Sequence, residues 1–151
     1  MKKIYFILFF LLIGGLTPSY SLPQEKGVVE RKDAPSFKES YRLALDEIGS
    51  GISSGKIASI SSLFSSQIYL NLPNGVSGYY SSNQAYYVVQ EFLQTHQVIS
   101  LNINDVQEDE ENVYATGVYR YLVKGKRDSS QIYISMKRSS NKWKITQITI
   151  N

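Results

Sequence analysis

The sequence contains no cysteine, and it has a single histidine and a single tryptophan among its 151 residues. Without cysteine there is neither a disulfide nor an acylated lipoprotein cysteine, so the packed core alone must hold the fold together. The single histidine, His96, excludes a histidine metal cluster, and no sequence motif marks a catalytic partner for it. A Gly-x-Ser-x-Gly elbow and a glycine-rich phosphate loop are also missing. We therefore expect no metal and no cofactor.

A long hydrophobic run is missing as well. Lys2 and Lys3 precede the apolar run 4–13, and the small residues Ser19 and Ser21 follow it. The run is too short for a membrane-spanning helix, which needs roughly 20 residues. The pattern predicts a signal peptide over 1–21 and no membrane span after cleavage. An uncleaved N-terminal anchor is the alternative, and an intact mass of exported protein that starts at Met1 would support it.

The chain also lacks a strong excess of charge. Its net charge falls from +3 to +1 when Lys2 and Lys3 leave with the signal peptide, so the basicity is a targeting feature and nucleic acid is not an expected partner. Residues 22–35 combine Pro, Gln, Glu, Lys, Gly and Asp, which predicts a flexible leader. The rest, 36–151, suffices for one domain, which we expect to be periplasmic or extracellular.

The C-terminal third organises this domain. Val, Ile, Tyr and Thr are frequent over 113–150 and alternate with polar residues, which predicts three consecutive antiparallel strands. The segments 125–129 and 139–142 supply the Gly, Asn and Ser that tight turns favour. One face of such a sheet must be buried, so the upstream segments are expected to cover it.

Upstream, apolar residues at helical spacing predict a helix that begins at the capping box of Ser36 and Glu39 and another at that of Ser81 and Gln84. The other expected elements are a short helix over 56–64, a hairpin of strands 68–72 and 76–80 turning at 73–75, and a strand over 98–106. Alternation in this last strand predicts Ile99, Leu101 and Ile103 on one face.

Glycines interrupt the end of the first helix. Gly49, Gly51 and Gly55 are poor helix formers, so the helix is expected to weaken after Ile48 and to stop by Gly55. Close approach of the backbone to the sheet is the alternative reason for these glycines.

This order of elements is an α+β plan in which three helices pack on one face of a curved antiparallel sheet. Five short motifs indicate a more specific resemblance; they are Gly51-Ile52-Ser53-Ser54-Gly55, Leu63-Phe64, Tyr80-Ser81, Tyr114-Ala115-Thr116-Gly117 and Trp143-Lys144-Ile145. On these residues the chain resembles the cystatin-like cone of the nuclear transport factor 2 and ketosteroid isomerase superfamily. More narrowly, it resembles an exported Bacteroidetes family of unknown function. The resemblance covers 37–150 and implies a nuclear transport factor 2-like domain over 36–151, with no established activity.

Enzymes of the resembled superfamily place an Asp, Glu or His inside the cone, where desolvation tunes its pKa. The carboxylates here fall off the apolar helix stripes, at strand ends or in turns; they are Glu39, Asp46, Glu47, Glu91, Asp105, Glu108, Asp109, Glu110, Glu111 and Asp128. His96 is expected to be solvated near a helix C-terminus. The sequence therefore predicts a domain that is not an enzyme.

Two charged segments have alternative interpretations. The acidic run 108–111 lacks the glycine and the spacing of a calcium loop, so a solvated turn is favoured over a calcium site. Lys124, Lys126 and Arg127 form a basic hairpin tip, which is explained either as a charged turn that discourages edge pairing or as a site for an anionic ligand.

Tyrosine is abundant, with twelve in the chain. In the long strand Tyr119 and Tyr121 share one face with Ala115 and Gly117, whereas Tyr114 lies on the other. One face is expected to line the cone and the other to meet a partner, because tyrosine combines a large contact area with a polar tip. The alternative is that these tyrosines only satisfy β-propensity. The candidate pocket-lining residues are Tyr87, Phe92, Tyr119, Tyr121 and Trp143.

The resulting hypothesis is an exported, non-catalytic binding or assembly module that uses the cone pocket or the tyrosine-rich sheet face. Its partner would be an unidentified protein, a small apolar ligand, or a second copy in a homodimer through the sheet face. The main alternative is a small-molecule isomerase or hydrolase of the ketosteroid isomerase-like superfamily, and a structural envelope protein is a third.

Overall fold

The computed structural model describes residues 36–151, so the signal peptide and leader expected over 1–35 lie outside the described residues. The elements, in chain order, are α1 (Phe37–Ser53), α2 (Ile57–Ile60), a 3-10 turn (Ser61–Leu63), β1 (Phe64–Asn71), β2 (Ser77–Ser81), α3 (Ser82–Thr95), β3 (Gln97–Glu108), β4 (Asn112–Val123), β5 (Lys126–Ser139) and β6 (Lys142–Ile150). Both expected capping boxes are present, that of Ser36 with Glu39 at α1 and that of Ser81 with Gln84 at α3.

The strands form one six-stranded sheet in the order β2-β1-β6-β5-β4-β3. Neighbouring strands are antiparallel except β1 and β6, which run parallel. The helices pack on the inner face of this curved sheet, where the apolar stripes of α1 and α3 meet the inward side chains of β1, β4, β5 and β6 in one core. The helices therefore leave the opposite, outer face of the sheet uncovered within residues 36–151.

The turn expected over 125–129 is shorter than the sequence suggested. Only Lys124 and Gly125 turn the chain, with φ of 50° and 76°, and β5 already begins at Lys126. Residues 126–129 instead pair with the end of β4, from Val123 to Arg120. Two consecutive left-handed residues match the twist of paired strands, so the hairpin continues almost to its tip.

The short second helix also ends earlier than expected. Its α-helical part spans Ile57–Ile60, and Phe64 already belongs to β1, where it pairs with Ile145 of β6. Long-range strand pairing, which no local pattern encodes, decides this boundary.

The glycines at the end of α1 have different roles. A Cβ on Gly51 would lie 2.6 Å from Cγ2 of Ile60, so close approach is the reason for this glycine, although the neighbour is α2 and not the sheet. Gly55 has a φ of +66° and follows the C-cap residue Ser54, a common position for a left-handed glycine. Gly49 has no atom within 4 Å of the position of a Cβ, so its neighbours would accept a side chain.

Two irregularities in β3 break the expected alternation of this strand. The register shifts between Val98 and Ser100 and again between Ile103 and Asp105. As a result Leu101 and Ile103 pack against the core, whereas Ile99 is 46% exposed. A bulge shifts the side chains that follow it, so strict alternation across Ile99, Leu101 and Ile103 was a wrong prediction.

Candidate functional site

The outer face of the sheet presents a row of uncharged side chains that crosses all six strands. Successive strand pairings join its members, which are Tyr79, Tyr69, Gln147, Ser135, Tyr114 and Gln107. A second row lies beside it and consists of Ser77, Asn71, Thr149, Tyr133, Thr116 and Asp105. Asp105, on the edge strand β3, is the one charged residue in these two rows. We call the two rows together the outer tyrosine face.

The tyrosines of this face contact one another in pairs. The rings of Tyr69 and Tyr79 meet edge to face at a centroid distance of 5.1 Å, and those of Tyr114 and Tyr133 stack at 6.4 Å. Tyr79 is 70% exposed, while the other three are half-buried. Partial burial, together with the neighbouring Tyr114, raises the pKa of Tyr133 above its usual value.

Hydrogen bonds also order the polar side chains of this face. The Tyr69 hydroxyl lies 3.2 Å from Oγ of Ser77, and Nε2 of Gln147 donates to Oγ1 of Thr149 at 3.0 Å. Rings held in pairs and polar groups held by neighbours lose less conformational freedom when a partner binds. The outer tyrosine face is therefore partly preorganised.

On the inner face, three of the candidate pocket residues lie together. Phe92 and Tyr119 are fully buried with ring centroids 6.0 Å apart, and Tyr119 and Tyr121 stack at 5.1 Å. The Tyr119 hydroxyl donates to the backbone oxygen of His96 at 2.9 Å, which satisfies the polar tip of this ring. Burial raises the pKa of Tyr119 well above its usual value. These rings fill this part of the interior.

His96 differs from its expected solvated position. Its ring is half-buried and stacks on Phe92 at a centroid distance of 4.3 Å, and its Nδ1 lies 3.2 Å from the Phe92 backbone oxygen. The last turn of α3 brings Phe92 and His96 onto one side of the helix, because residues four apart are neighbours on a helix surface. Local helical geometry thus gives His96 a packing role that its sequence position near a helix end did not reveal.

The other two candidates lie apart from that cluster. Trp143 packs edge to face on Phe37 and Tyr41, with centroid distances of 5.3 and 6.2 Å, and its indole N–H donates to Oγ of Ser40 at 3.0 Å. Tyr87 is 61% exposed on α3 and contacts Tyr86 edge to face at 5.1 Å. The structure therefore brings together Phe92, Tyr119 and Tyr121 but neither Trp143 nor Tyr87. Sequence reasoning missed Ser40, since no local signal links it to a strand about a hundred residues later.

The acidic turn 108–111 is held by its own backbone. Oδ1 of Asp109 accepts from the amides of Glu111 and Asn112 at 2.9 and 2.8 Å, and these bonds lower the pKa of Asp109. Glu108 and Glu111 pair with Lys38 and Lys137 at 3.9 and 3.5 Å. Within residues 36–151, no group of three His, Cys, Asp or Glu side chains is arranged to hold a metal ion. These hydrogen bonds and ion pairs account for the conformation of the turn.

At the β4–β5 hairpin, Lys124, Lys126 and Arg127 are all exposed. Over the described part of the chain, none of the helices combines the length and the apolarity that a membrane crossing requires.

Helices gathered on the inner face of a curved six-stranded sheet, whose outer face no helix of residues 36–151 covers, define a nuclear transport factor 2-like α+β domain. The chain belongs to the family of the domain of unknown function DUF4783, which matches residues 45–151. The expected resemblance to an unknown-function family with this fold is thereby confirmed. A comparison with curated proteins finds no match.

Solved structures of similar fold come from several bacteria. A DUF4783 family protein from Bacteroides uniformis is 18% identical, with a TM-score of 0.64 over 70% of this chain and 94% of that one. A nuclear transport factor 2-like protein from Cytophaga hutchinsonii is 9% identical, with a TM-score of 0.59 over 76% and 97%. A similar protein of unknown function from Shewanella oneidensis is 7% identical, with a TM-score of 0.57 over 75% and 97%. At these identities the likeness shows the fold alone.

Proposed function

We propose that this protein is an exported, non-catalytic assembly module that associates with a second copy of itself through the outer tyrosine face. The observation that carries the proposal is the pair of side-chain rows across the sheet, in which the single charge, Asp105, lies on the edge strand. Interface centres are depleted of charge and enriched in aromatic residues, and the tyrosine pairs provide that chemistry.

The size of the face also favours a protein partner over a small molecule. Its rows extend over six strands, and neighbouring strands lie about 4.8 Å apart. The rows are therefore about 24 Å long, the length of a central strip in a protein interface that buries about 800 Å² on each partner. A small molecule instead needs a concave site that encloses most of its surface.

The exposure of the carboxylates supports the non-catalytic part of the proposal. Every Asp and Glu from Glu39 to Asp128 is exposed, and the Asp109 carboxylate is occupied by backbone amides. A general base works best in an enclosed site that holds the substrate and excludes water, and none of these exposed carboxylates lies in such a site. Turnover of a small metabolite that a single carboxylate substitution abolishes would contradict this part.

The assembly part is tested by introducing a charge at the centre of the face. We expect wild-type protein to dimerise, and Ser135→Arg to shift it to monomer, because an unpaired charge would be buried at the interface. Tyr133→Ala should weaken the dimer about fivefold or more, which is the usual threshold for a significant interface residue. Sedimentation velocity over a concentration series measures both effects.

Each variant has a matched control elsewhere on the domain. Ser139→Arg adds the same charge at the exposed end of the same strand, outside the rows, and Tyr87→Ala removes an exposed tyrosine from α3. Both controls should sediment like wild type. A wild-type monomer at all concentrations, or controls that dissociate the dimer equally, would refute assembly through this face.

A further inference from the structure

A groove beside α1 has features of a small-ligand site. It lies where α1 meets the start of β6 and the 3-10 turn, and its volume is about 400 Å³. This volume falls within the roughly 300–1,000 Å³ of pockets that hold small ligands. We call it the α1–β6 groove; it shares none of its lining residues with the outer tyrosine face.

The apolar side chains along this groove are not all used by the fold. Leu43, Ala44, Leu63 and Trp143 line it. Leu43 lies off the buried stripe of α1 and is 57% exposed, although a leucine at an exposed helix position gains nothing from water contact. Covering its exposed surface would recover about 25 cal/mol per Å² of apolar area. Ala44 and Trp143 are buried, so the apolar surface that the folded domain leaves exposed in this groove belongs to Leu43 and to the half-buried Leu63.

The charged residues along the same groove have a positive balance. Lys142, Lys144 and Glu47 line it, which leaves one net positive charge. Nζ of Lys144 donates to the backbone oxygen of Ser62 at 2.6 Å, so its charge is fixed at the groove. Lys142 is exposed and forms no ion pair among residues 36–151. An anionic group placed beside Lys142 would therefore meet an unused cation.

Exposed apolar surface lies beside a lysine that forms no ion pair among residues 36–151. We therefore infer that the α1–β6 groove binds a free fatty acid, with the alkyl chain along Leu43 and Leu63 and the carboxylate at Lys142. A ligand without the carboxylate would leave Lys142 unpaired. An acid without the alkyl chain would leave Leu43 in water. This inference is independent of assembly through the outer tyrosine face.

Trp143 makes the inference measurable, because it is the single tryptophan of the chain and lines the groove. The probe is octanoate, kept below its critical micelle concentration, with 1-octanol and acetate as comparison ligands. We expect octanoate to change tryptophan fluorescence saturably, 1-octanol to bind more weakly, and acetate to have no effect at equal ionic strength.

Substitutions then assign the site. Leu43→Ser should raise the octanoate Kd about tenfold or more, since it removes the exposed apolar contact. Lys142→Gln should raise the octanoate Kd about two- to fivefold, as expected for an exposed ion pair, and leave the 1-octanol Kd unchanged. Ile99→Ser is the matched control, because Ile99 is a similarly exposed aliphatic residue on β3, outside the groove.

Several results would overturn the inference. The first is the absence of a saturable fluorescence change with octanoate. The second is an octanoate Kd that rises as much in Ile99→Ser as in Leu43→Ser. The third is that octanoate and 1-octanol bind equally well and Lys142→Gln changes neither Kd. Dimer disruption by Ser135→Arg with unaltered octanoate binding would separate this site from the proposed assembly.

Discussion

Replacing Gly117 by alanine should destabilise the domain, although the same substitution in an open strand would be mild. Gly117 lies in β4 beside the second register shift of β3. A Cβ at this position would lie 2.2 Å from the backbone oxygen of Asn102 and 3.0 Å from Cα of Ile103. These neighbours are backbone atoms, so no side-chain rotation can relieve the contact and the two strands must separate.

The magnitude follows from opposing contributions. Forced shifts in a packed region cost about 1–3 kcal/mol, and each weakened ladder hydrogen bond costs about 0.5–1.5 kcal/mol. Alanine also lowers the conformational entropy of the unfolded chain, which stabilises the folded state by about 0.4–1 kcal/mol. We therefore expect Gly117→Ala to lower the free energy of unfolding by about 2–3 kcal/mol. This loss is smaller than the roughly 5–15 kcal/mol stability of a typical domain, so the variant should still fold.

Urea unfolding followed by the fluorescence of Trp143 measures the change, because this single tryptophan is buried in the folded state. With a slope of about 2 kcal/mol per M, the midpoint should fall by roughly 1 M or more. Gly49→Ala is the matched control, since no atom lies within 4 Å of its Cβ position and α1 would gain up to about 1 kcal/mol. A Gly117→Ala protein as stable as wild type, or a Gly49→Ala protein as unstable as Gly117→Ala, would refute the reasoning.

Two further predictions concern hydrogen bonds. Burial raises the pKa of Tyr119 above its reference value of 10.0, so this phenol loses its proton first in the unfolded chain and the stability of the domain should fall as pH rises above 10. Urea titrations at several pH values should show a smaller fall for Tyr119→Phe. At pH 7 the same substitution should cost about 1–2 kcal/mol, because the His96 carbonyl loses its hydrogen-bond donor. An unchanged pH dependence would contradict this. Ser81→Ala removes the N-cap of α3 and should cost about 1 kcal/mol in urea unfolding, and rescue by Ser81→Asp, an equally good cap, checks the assignment.

Much of the architecture is readable from local pattern. The capping boxes at Ser36 and Ser81 and the apolar stripes that follow them mark α1 and α3, because each signal lies within a few neighbouring residues. In β4 the alternation correctly separates Tyr119 and Tyr121, which are buried, from Tyr114, which is on the outer face. Period-two patterning determines which face a side chain takes wherever a strand contains no bulge.

The errors occur where distant segments decide the structure. Phe64 leaves the second helix because it pairs with Ile145, and Ile99 is exposed because β3 bulges against β4. The candidate site was anticipated in part: the sequence marked an outer face with Tyr114, but it did not indicate that Tyr69 and Tyr79 join the same row. That row depends on the parallel pairing of β1 with β6, which no local signal predicts.

The sequence by itself therefore determined the fold class, the two long helices and the side of the sheet on which each tyrosine of β4 lies, since these depend on short-range periodicity. Only the tertiary structure decided that tyrosines from separate strands form one face whose single charge lies on the edge strand, that Trp143 meets Ser40, and that Gly117 touches the backbone of β3. The physical reason is that strand register and close backbone contact arise from chain segments far apart in sequence, whose relative placement is fixed when the core packs.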